Sequence, residues 1–396
     1  LQTNNDAAGD SAEQREVFSM RVRQLAIESN FSCALTEGGE VYCWGQDRGP
    51  SFLSANPYGD YRRAQHISEL HDIIQVSVTS SGHACALERT GLVWCWGFNY
   101  DGSLGVDGSE TRIERPRRVS GIAGATHIAT AYDGRSFVRM ADGNVYYWGA
   151  FVRPLQRVPG LETAAEVHSS NWLTCSRLTR GGHACQVGVQ FYEFERSNNS
   201  ESLILLRGGG SGVWCGLKPD RSLWCGGSNT LAEAAFPPEM SEICAENPDR
   251  NGFVARWRCL REPQPVMSLQ RVEEVAAGAL TTCARLQDGT LWCWGGGFVG
   301  PDDVTSRFVT FGDGRPDGEV CEQFPANSEA MPAPFPCRRR PVQIVGLSGV
   351  TTIAVGYRHA CAALATGGVR CWGVNDRGQL GDGTTTHRAT PVPLRM

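Results

Sequence analysis

Six pairs of cysteines, each separated by ten positions, recur along this 396-residue chain and constrain its fold more than any other feature. The pairs are Cys33–Cys43, Cys85–Cys95, Cys175–Cys185, Cys215–Cys225, Cys283–Cys293 and Cys361–Cys371. Between the cysteines of a pair the polarity alternates around a turn signal such as Asp288-Gly289, which is typical of a β-hairpin. The two cysteines lie symmetrically about that turn. We therefore expect them to face each other with Cα atoms about 4.5 Å apart, within reach of a disulfide.

The remaining cysteines also favour disulfides over metal sites. They pair inside two longer segments, Cys244 with Cys259 and Cys321 with Cys337, and none of the sixteen is left over. Zinc sites use closely spaced Cys-x₂₋₄-Cys steps, which the sequence lacks. In one further unit Phe137 and Tyr147 replace both cysteines together, as expected for a bridged pair. The sequence therefore predicts eight structural disulfides and an oxidising, extracellular environment.

The hairpin segments define a repeat. The first aligned position of each unit gives seven units, which begin at Cys33, Cys85, Phe137, Cys175, Cys215, Cys283 and Cys361. Units four and five are degenerate, with Gln186 and Gly226 where the others have tryptophan, so six blades with one irregular insertion is the alternative. A hairpin repeat cannot bury both faces alone, and four-stranded units that stack radially make a β-propeller.

We therefore predict an all-β fold, a seven-bladed β-propeller of four-stranded blades. Residues 1–15 are polar and are expected to form a flexible tail, and residues 16–396 a single propeller domain. The C-terminal residues 391–394 resemble the strand that precedes other units, and the first unit lacks that strand. The expectation is that the last strand completes the first blade, so that the N- and C-terminal strands close the ring.

A longer pattern identifies the repeat. Residues 95–105 and 371–381 both read Cys-Trp-Gly, then Asn, Gly, Leu and Gly at matching intervals. This pattern resembles the regulator of chromosome condensation repeat, strongly in units two and seven, partly in one, three and six, and weakly in four and five. The resemblance implies a seven-bladed propeller and no single activity. Guanine-nucleotide exchange, the activity best known in that family, is not expected, because eight disulfides do not suit the reducing nucleus.

No catalytic, cofactor-binding or metal site is expected. The sequence has no Gly-x-Ser-x-Gly, no His-Glu-x-x-His and no phosphate-binding loop, and its Asp-Gly pairs lack calcium-loop spacing. His83, His183 and His359 recur one or two places before a cysteine, and such repeated residues are usually scaffold features. Blade packing is also the expected role of the repeated tryptophans, Trp44, Trp96, Trp148, Trp294 and Trp372.

Two insertions, at 226–270 and 296–340, are the candidate binding loops. Both follow the second hairpin strand of successive units, so they should emerge on one face from adjacent blades. Each carries its own cysteine pair, which lowers the entropy lost on binding. Aromatic residues and arginine dominate many binding energies, and the candidates are Phe253, Arg256, Trp257, Arg258, Phe308, Phe311, Arg338, Arg339 and Arg340. The alternative is that the insertions only decorate a stable scaffold.

The expected function is a non-enzymatic binding or adhesion module that recognises a protein or a glycan. The expected location is extracellular or at a cell surface, with the periplasm as an alternative, after removal of a signal peptide. Alternatives are a secreted enzyme inhibitor and a self-associating subunit of a surface layer or appendage. A net charge of −5 gives no reason to expect a nucleic-acid partner. The sequence contains no run of eighteen apolar residues that could span a membrane. N-glycosylation motifs begin at Asn30 and Asn198.

Overall fold

β-Strands form the regular structure of this protein in a computed structural model, and no α-helix occurs among the residues described. The description covers the chain except for residues 1–16, 46–60, 100–101, 107–109, 132, 151, 160, 163, 170–172, 179–182, 188–189, 195–202, 204, 209–211, 230–231, 238–240, 249–253, 297–310, 316–318 and 323–334.

Five sheets have four antiparallel strands in chain order. The first holds β1 (Val22–Ile27), β2 (Phe31–Thr36), β3 (Val41–Gly45) and β4 (Gln65–His66). The second holds β5 (Ile73–Val78), β6 (His83–Glu88), β7 (Val93–Phe98) and β8 (Arg112–Arg118). The third holds β9 (Ala125–Thr130), β10 (Arg135–Met140), β11 (Val145–Gly149) and β12 (Val152–Arg157). The fourth holds β13 (His168–Ser169), β14 (Leu173–Arg177), β15 (His183–Val187) and β16 (Gln190–Phe194).

The fifth and sixth sheets have a fifth strand each. The fifth holds β17 (Leu205–Gly208), β18 (Val213–Leu217), β19 (Leu223–Ser228), β20 (Glu242–Pro248) and β21 (Val254–Pro265). The sixth holds β22 (Val272–Ala277), β23 (Thr281–Leu286), β24 (Leu291–Gly296), β25 (Glu319–Glu322) and β26 (Phe335–Gln343). The seventh, with four strands again, holds β27 (Val350–Val355), β28 (His359–Leu364), β29 (Val369–Gly373) and β30 (Arg388–Pro393).

The seven sheets follow one another around an axis. The first strand of each sheet contacts the first strand of the next, and β27 of the seventh sheet contacts β1 of the first. These innermost strands enclose a central cavity. The arrangement is a seven-bladed β-propeller, as predicted.

The expected position of the last strand is wrong. β30 pairs with β29 and completes the seventh blade, while the first blade is completed by β4. The strand that precedes each unit in the sequence is thus the outermost strand of the preceding blade. The first and last described segments still meet at the junction of blades one and seven, where the Phe18 amide donates to the Leu394 carbonyl at 2.9 Å.

The disulfides lie where the sequence places them. Five bridges are described, and in each the two Cα atoms are 4.1 Å apart in directly opposed positions: Cys33–Cys43, Cys85–Cys95, Cys215–Cys225, Cys283–Cys293 and Cys361–Cys371. The Cys175 and Cys185 backbones are opposed in the same register. Cys259 and Cys337 are also disulfide-bonded, while the side chains of the predicted partners Cys244 and Cys321 lie outside the described part. No cysteine is free among the described residues.

The Trp-Gly motif at the end of the third strand is explained by packing between blades. The five tryptophans are each at most 2 % exposed, and Trp44 packs with Cys361 and Leu380 of the seventh blade. The glycine that follows has a positive φ, +88° at Gly45, and a Cβ there would lie 2.2 Å from the Asn30 carbonyl oxygen. Only glycine fits so close to the neighbouring loop, and the prediction that the tryptophans pack the blades is confirmed.

The outermost strands of blades two, three and seven are irregular edges. Each carries a proline and a break in register against its neighbour: Pro116 in β8, Pro154 in β12 and Pro391 in β30. Proline removes an edge hydrogen-bond donor, and a bulge bends the edge away.

Candidate functional site: the ribbon face and the central channel

The topology divides the loops between two faces of the ring. The first and third strands of a blade run in the same direction, because both are antiparallel to the second. The loops after first strands and the connections after third strands therefore share one face, which we call the ribbon face. Hairpin turns and the links between blades share the opposite, turn face.

Two β-ribbons extend blades five and six on the ribbon face. In blade five, residues 259–265 of β21 pair with β19, while residues 254–259 pair with β20. In blade six, β26 pairs both with β24 and with the short outer strand β25. The two insertions thus emerge on the same face from adjacent blades, as the sequence predicts.

A buried ion pair anchors the second ribbon. Arg338 Nε donates to Asp313 Oδ2 at 2.8 Å, and the two side chains are 9 % and 2 % exposed. The Arg338 guanidinium also lies over the ring of Phe311, which is 1 % exposed. Phe311 and Arg338 were expected to contact a ligand. This part of the expectation is corrected, because burial makes both side chains parts of the blade.

The same anchor occurs in blade seven. Arg388 Nε donates to Asp382 Oδ2 at 2.9 Å, and Arg388 opposes Gly373 just as Arg338 opposes Gly295. The pair at Asp313 and Arg338 is therefore a repeat feature that the insertion has kept.

Arg258 is tied to the base of the first ribbon, where its Nη1 donates to the Ser241 carbonyl at 3.2 Å. Arg339 forms an ion pair with Glu319 at 3.3 Å and is partly exposed, and Arg340 is exposed. Only the backbones of Arg256 and Trp257 are described, within β21. Phe253 and Phe308 lie outside the described residues. Among the described candidates, Arg339 and Arg340 are therefore the surface groups of this face.

Two serine–histidine pairs resemble catalytic dyads but are structural. His359 Nε2 lies 2.7 Å from Ser32 Oγ, and His83 Nε2 lies 3.0 Å from Ser136 Oγ. In each pair the two residues come from neighbouring blades, and all four are at most 2 % exposed. Burial lowers the pKa of His83 to about 4 and that of His359 to about 3. The imidazoles are therefore neutral at physiological pH, and no substrate reaches the hydroxyls.

Beside these pairs, at three blade junctions a backbone carbonyl of one blade's connecting loop accepts from the repeated tryptophan of the next blade. Trp44 Nε1 donates to the Gln379 carbonyl at 2.9 Å, and Trp148 Nε1 donates to the Ser103 carbonyl at 3.0 Å. Trp294 Nε1 donates to the Glu233 carbonyl at 2.9 Å. The repeated histidines and tryptophans thus hold blades together, in line with the scaffold role predicted for them. The His183 side chain is outside the described part.

Side-chain amides join the innermost strands. Gln24 Nε2 donates to the Val76 carbonyl at 2.9 Å, and Gln24 Oε1 accepts from the Val76 amide at 3.0 Å. Gln75 makes the same pair of bonds with Ile128, both at 2.9 Å. In blade six the equivalent residue is Glu274. It accepts from the Ile353 amide and from Thr352 Oγ1, and burial raises its pKa.

The described residues also bear on metal binding, on membrane-spanning helices and on the two glycosylation motifs. Within the described ranges, no group of three or more His, Cys, Asp or Glu side chains could hold a metal ion. No helix there is long and apolar enough to cross a membrane. Asn30 is 4 % exposed and its Oδ1 accepts from Gln379 Nε2 at 3.4 Å, so the folded chain hides that glycosylation motif. Asn198 lies outside the described residues.

Family comparison agrees with the repeat seen in the sequence. The regulator of chromosome condensation (RCC1) repeat matches residues 22–48, 73–103, 272–300 and 350–379, and a second form of it matches residues 90–137. These ranges fall in blades one, two, three, six and seven. Regulator of chromosome condensation repeats are thus present in these five blades of the propeller.

Relatives by sequence are distant. The mouse (Mus musculus) E3 ubiquitin-protein ligase HERC2 is 26 % identical over 379 residues, which is 93 % of this chain and 6 % of that protein. The Drosophila melanogaster regulator of chromosome condensation is 29 % identical over 150 residues, which is 38 % of this chain and 27 % of that one. The chain therefore spans a small part of the relatives that it matches.

Solved structures share the fold. Prp20p of Saccharomyces cerevisiae superposes with a TM-score of 0.67 at 15 % identity, and the match covers 100 % of this chain and 91 % of that one. Human WBSCR16 superposes with a TM-score of 0.59 at 14 % identity over 89 % of both chains. At this identity the likeness concerns the propeller alone.

Proposed function

We propose that this chain is an extracellular, non-enzymatic module that binds a protein partner through its ribbon face. The observation that carries the proposal is the pair of ribbons that extend adjacent blades on one face. Two rigid projections on neighbouring blades bound a surface that a partner can contact at several points. Preorganised loops lose less entropy on binding than flexible ones.

The bases of the ribbons support this preorganisation. Arg338 and Asp313 pin one ribbon, and Arg258 with Asn229 pins the other through Ser241, where Asn229 Nδ2 donates to Ser241 Oγ at 2.6 Å. Cys259 and Cys337 add a disulfide at each base. Long loops that are tied down in this way are disproportionately functional.

A protein is the favoured partner class. The yeast propeller Prp20p has been studied for its binding properties to Gsp1p and histones, and yeast RCC1 (Prp20) has been seen bound to Kap60. Propellers of this shape therefore bind proteins. The extracellular location is supported by five fully described disulfides inside the blades, since such frameworks persist in oxidising compartments.

The test shortens both ribbons without touching the blades. Residues 246–256 and 323–334 are each replaced by Asn-Gly, a two-residue hairpin turn, so that all four ribbon cysteines remain. Immobilised chain captures secreted proteins from its own source, and each protein identified is then titrated against both forms. We expect at least a tenfold loss of affinity in the shortened form.

A matched control changes the opposite face. Met267 and Val345, which are 80 % and 64 % exposed, lie in links between blades on the turn face. Met267→Ser with Val345→Ser should leave the affinity unchanged. Equal affinity of the intact and shortened forms, or a loss confined to the turn-face variant, would refute the proposal.

A further inference from the structure

The innermost strands enclose a cavity of about 260 Å³ on the axis of the ring. Most polar side chains along it bond to the adjacent strand. Gln24 bonds to the Val76 backbone, Ser77 Oγ lies 2.9 Å from Thr130 Oγ1, and Thr352 Oγ1 donates to Glu274 Oε1 at 2.9 Å. The hydrogen-bonding groups of these side chains are therefore already satisfied within the propeller.

Glu28 differs from them. It follows β1 and lines the cavity at the ribbon-face end, and its side chain has no hydrogen bond or ion pair with any residue that the structure describes. The side chain is partly exposed. Protein nevertheless surrounds the carboxyl so closely that burial raises its pKa to about 8. Glu28 therefore places on the cavity wall a carboxyl whose charged form is disfavoured by the surrounding protein.

The residues that follow the innermost strands of the other described blades are small. The equivalent positions after β5, β9, β22 and β27 are Thr79, Ala131, Gly278 and Gly356. Gly356 packs directly on blade one, since a Cβ there would lie 2.8 Å from the Glu28 carbonyl oxygen. At these positions Glu28 is the one charged group among the described blades.

No cation of the described scaffold neutralises Glu28. In blade seven, Arg358 Nη1 is engaged by Asp376 Oδ2 at 3.3 Å, and burial keeps His359 neutral. In blade two, residues 73–82 contain no ionisable side chain. Tyr357, 40 % exposed, follows Gly356 on the same rim and offers an aromatic ring. A carboxyl and an aromatic ring at one mouth suit an organic cation.

We infer that this mouth of the channel receives the guanidinium or ammonium group of a basic side chain from the partner, with Glu28 as its counter-ion. The inference rests on the proposed function, since it places a basic residue of the partner at the centre of the ribbon face. The cation binds the ionised carboxylate, so binding releases a proton at neutral pH.

The test uses N-acetylarginine amide, whose guanidinium keeps its charge between pH 6.5 and 8.5. With a pKa of about 8, ionised Glu28 is about 20-fold more abundant at pH 8.5 than at pH 6.5. Titration of the full chain followed by NMR should show an affinity about 20-fold higher at pH 8.5. Glu28→Gln, an isostere of the protonated acid, should abolish the saturable shift while the melting temperature is retained.

Glu37→Gln is the matched control, because Glu37 is an exposed acid on a hairpin turn of the opposite face. It should bind like the wild type. Absence of saturable binding at pH 8.5, or equal binding by Glu28→Gln, would overturn the inference. The probe is independent of the ribbons, so the shortened form should bind it too. A chain that captures no partner protein can therefore be distinguished from a chain that does not bind N-acetylarginine amide.

Discussion

Ser32 and His359 are 327 residues apart in the chain, yet Ser32 Oγ lies 2.7 Å from His359 Nε2 at the junction of the first and seventh blades. His83 and Ser136 repeat the contact at the junction of blades two and three, at 3.0 Å. These serine–histidine pairs, which resemble catalytic dyads, therefore join neighbouring blades of the ring.

These histidines predict a loss of stability in mild acid. Their folded pKa values, about 4 for His83 and about 3 for His359, lie below the unfolded value of about 6.5. The unfolded chain therefore binds more protons as the pH falls below 6.5, and stability is lost through the window down to the folded values. Between pH 6 and pH 5 we expect the pair to lower the free energy of unfolding by about 2 kcal/mol.

Denaturant unfolding at pH 7, 6 and 5 measures this effect, and the double variant His83→Gln with His359→Gln is the comparison. The variant should lose less stability in acid than the wild type does. An identical dependence on pH in both proteins would contradict the assignment.

Glu274→Gln should stabilise the protein. At this position Gln24 and Gln75 bond to both the amide and the carbonyl of the next innermost strand, whereas a carboxylate can only accept. Burial raises the Glu274 pKa, so the ionised form is unfavourable in the folded state. We expect a gain of about 1 kcal/mol at pH 7. The gain should shrink as the pH falls through the raised folded pKa and be lost below the unfolded pKa of about 4.3, where the acid is neutral in both states.

Thermal unfolding of the two proteins at pH 7 and pH 4 measures the difference. A Gln variant that is less stable than the wild type at pH 7 would contradict this prediction. It would show that the ion pair of Glu274 with Arg285 stabilises the fold more than the hydrogen-bond donor that a glutamine side chain adds.

Blade three should accept a disulfide. Phe137 opposes Tyr147 in the register that Cys33 and Cys43 occupy in blade one, and the two rings stack at 5.9 Å. The double variant Phe137→Cys with Tyr147→Cys should form a bridge without reductant. Thiol counting before and after reduction measures it, with Phe137→Cys alone as the control that keeps one free thiol. Two reactive thiols in the unreduced double variant would contradict the shared register.

Arg338→Met should destabilise the protein by about 3–5 kcal/mol, because the Asp313 carboxylate would remain buried without its partner. Arg340→Ala, two residues along the same strand and exposed, should change stability by less than about 0.5 kcal/mol. Denaturant melts of the two variants are the measurement. Similar losses in both would contradict the structural role of Arg338.

The hairpins could be predicted because their information is local. A cysteine on each side of a turn fixes register without knowledge of the rest of the fold, and Cys33 and Cys43 are opposed as expected. The position of β30 could not be deduced in the same way. Its partner β29 is separated from it by a connection, and sequence proximity in other units pointed to the following blade.

The candidate site was predicted at the level of the face but not of every residue. Arg and Phe are common at interfaces, which suggested Arg338 and Phe311. The repeated Gly-Asp-Gly at residues 312–314 and 381–383 would have indicated that Asp313 forms the same ion pair with an arginine as Asp382 does, and so that Arg338 belongs to the blade. Glu28 has a weaker signal, an acid where other units have small residues, and its isolation becomes visible only when the innermost strands are brought together.

The irregular outer strands of blades two, three and seven limit how copies of this protein can meet. A straight, fully hydrogen-bonding rim would allow neighbours to join sheet to sheet into filaments, as in amyloid. Proline and broken register at Pro116, Pro154 and Pro391 remove that template. Neighbouring copies are therefore not expected to join sheet to sheet along these three edges, and a lattice of copies would have to use the other blade edges or the flat faces of the ring.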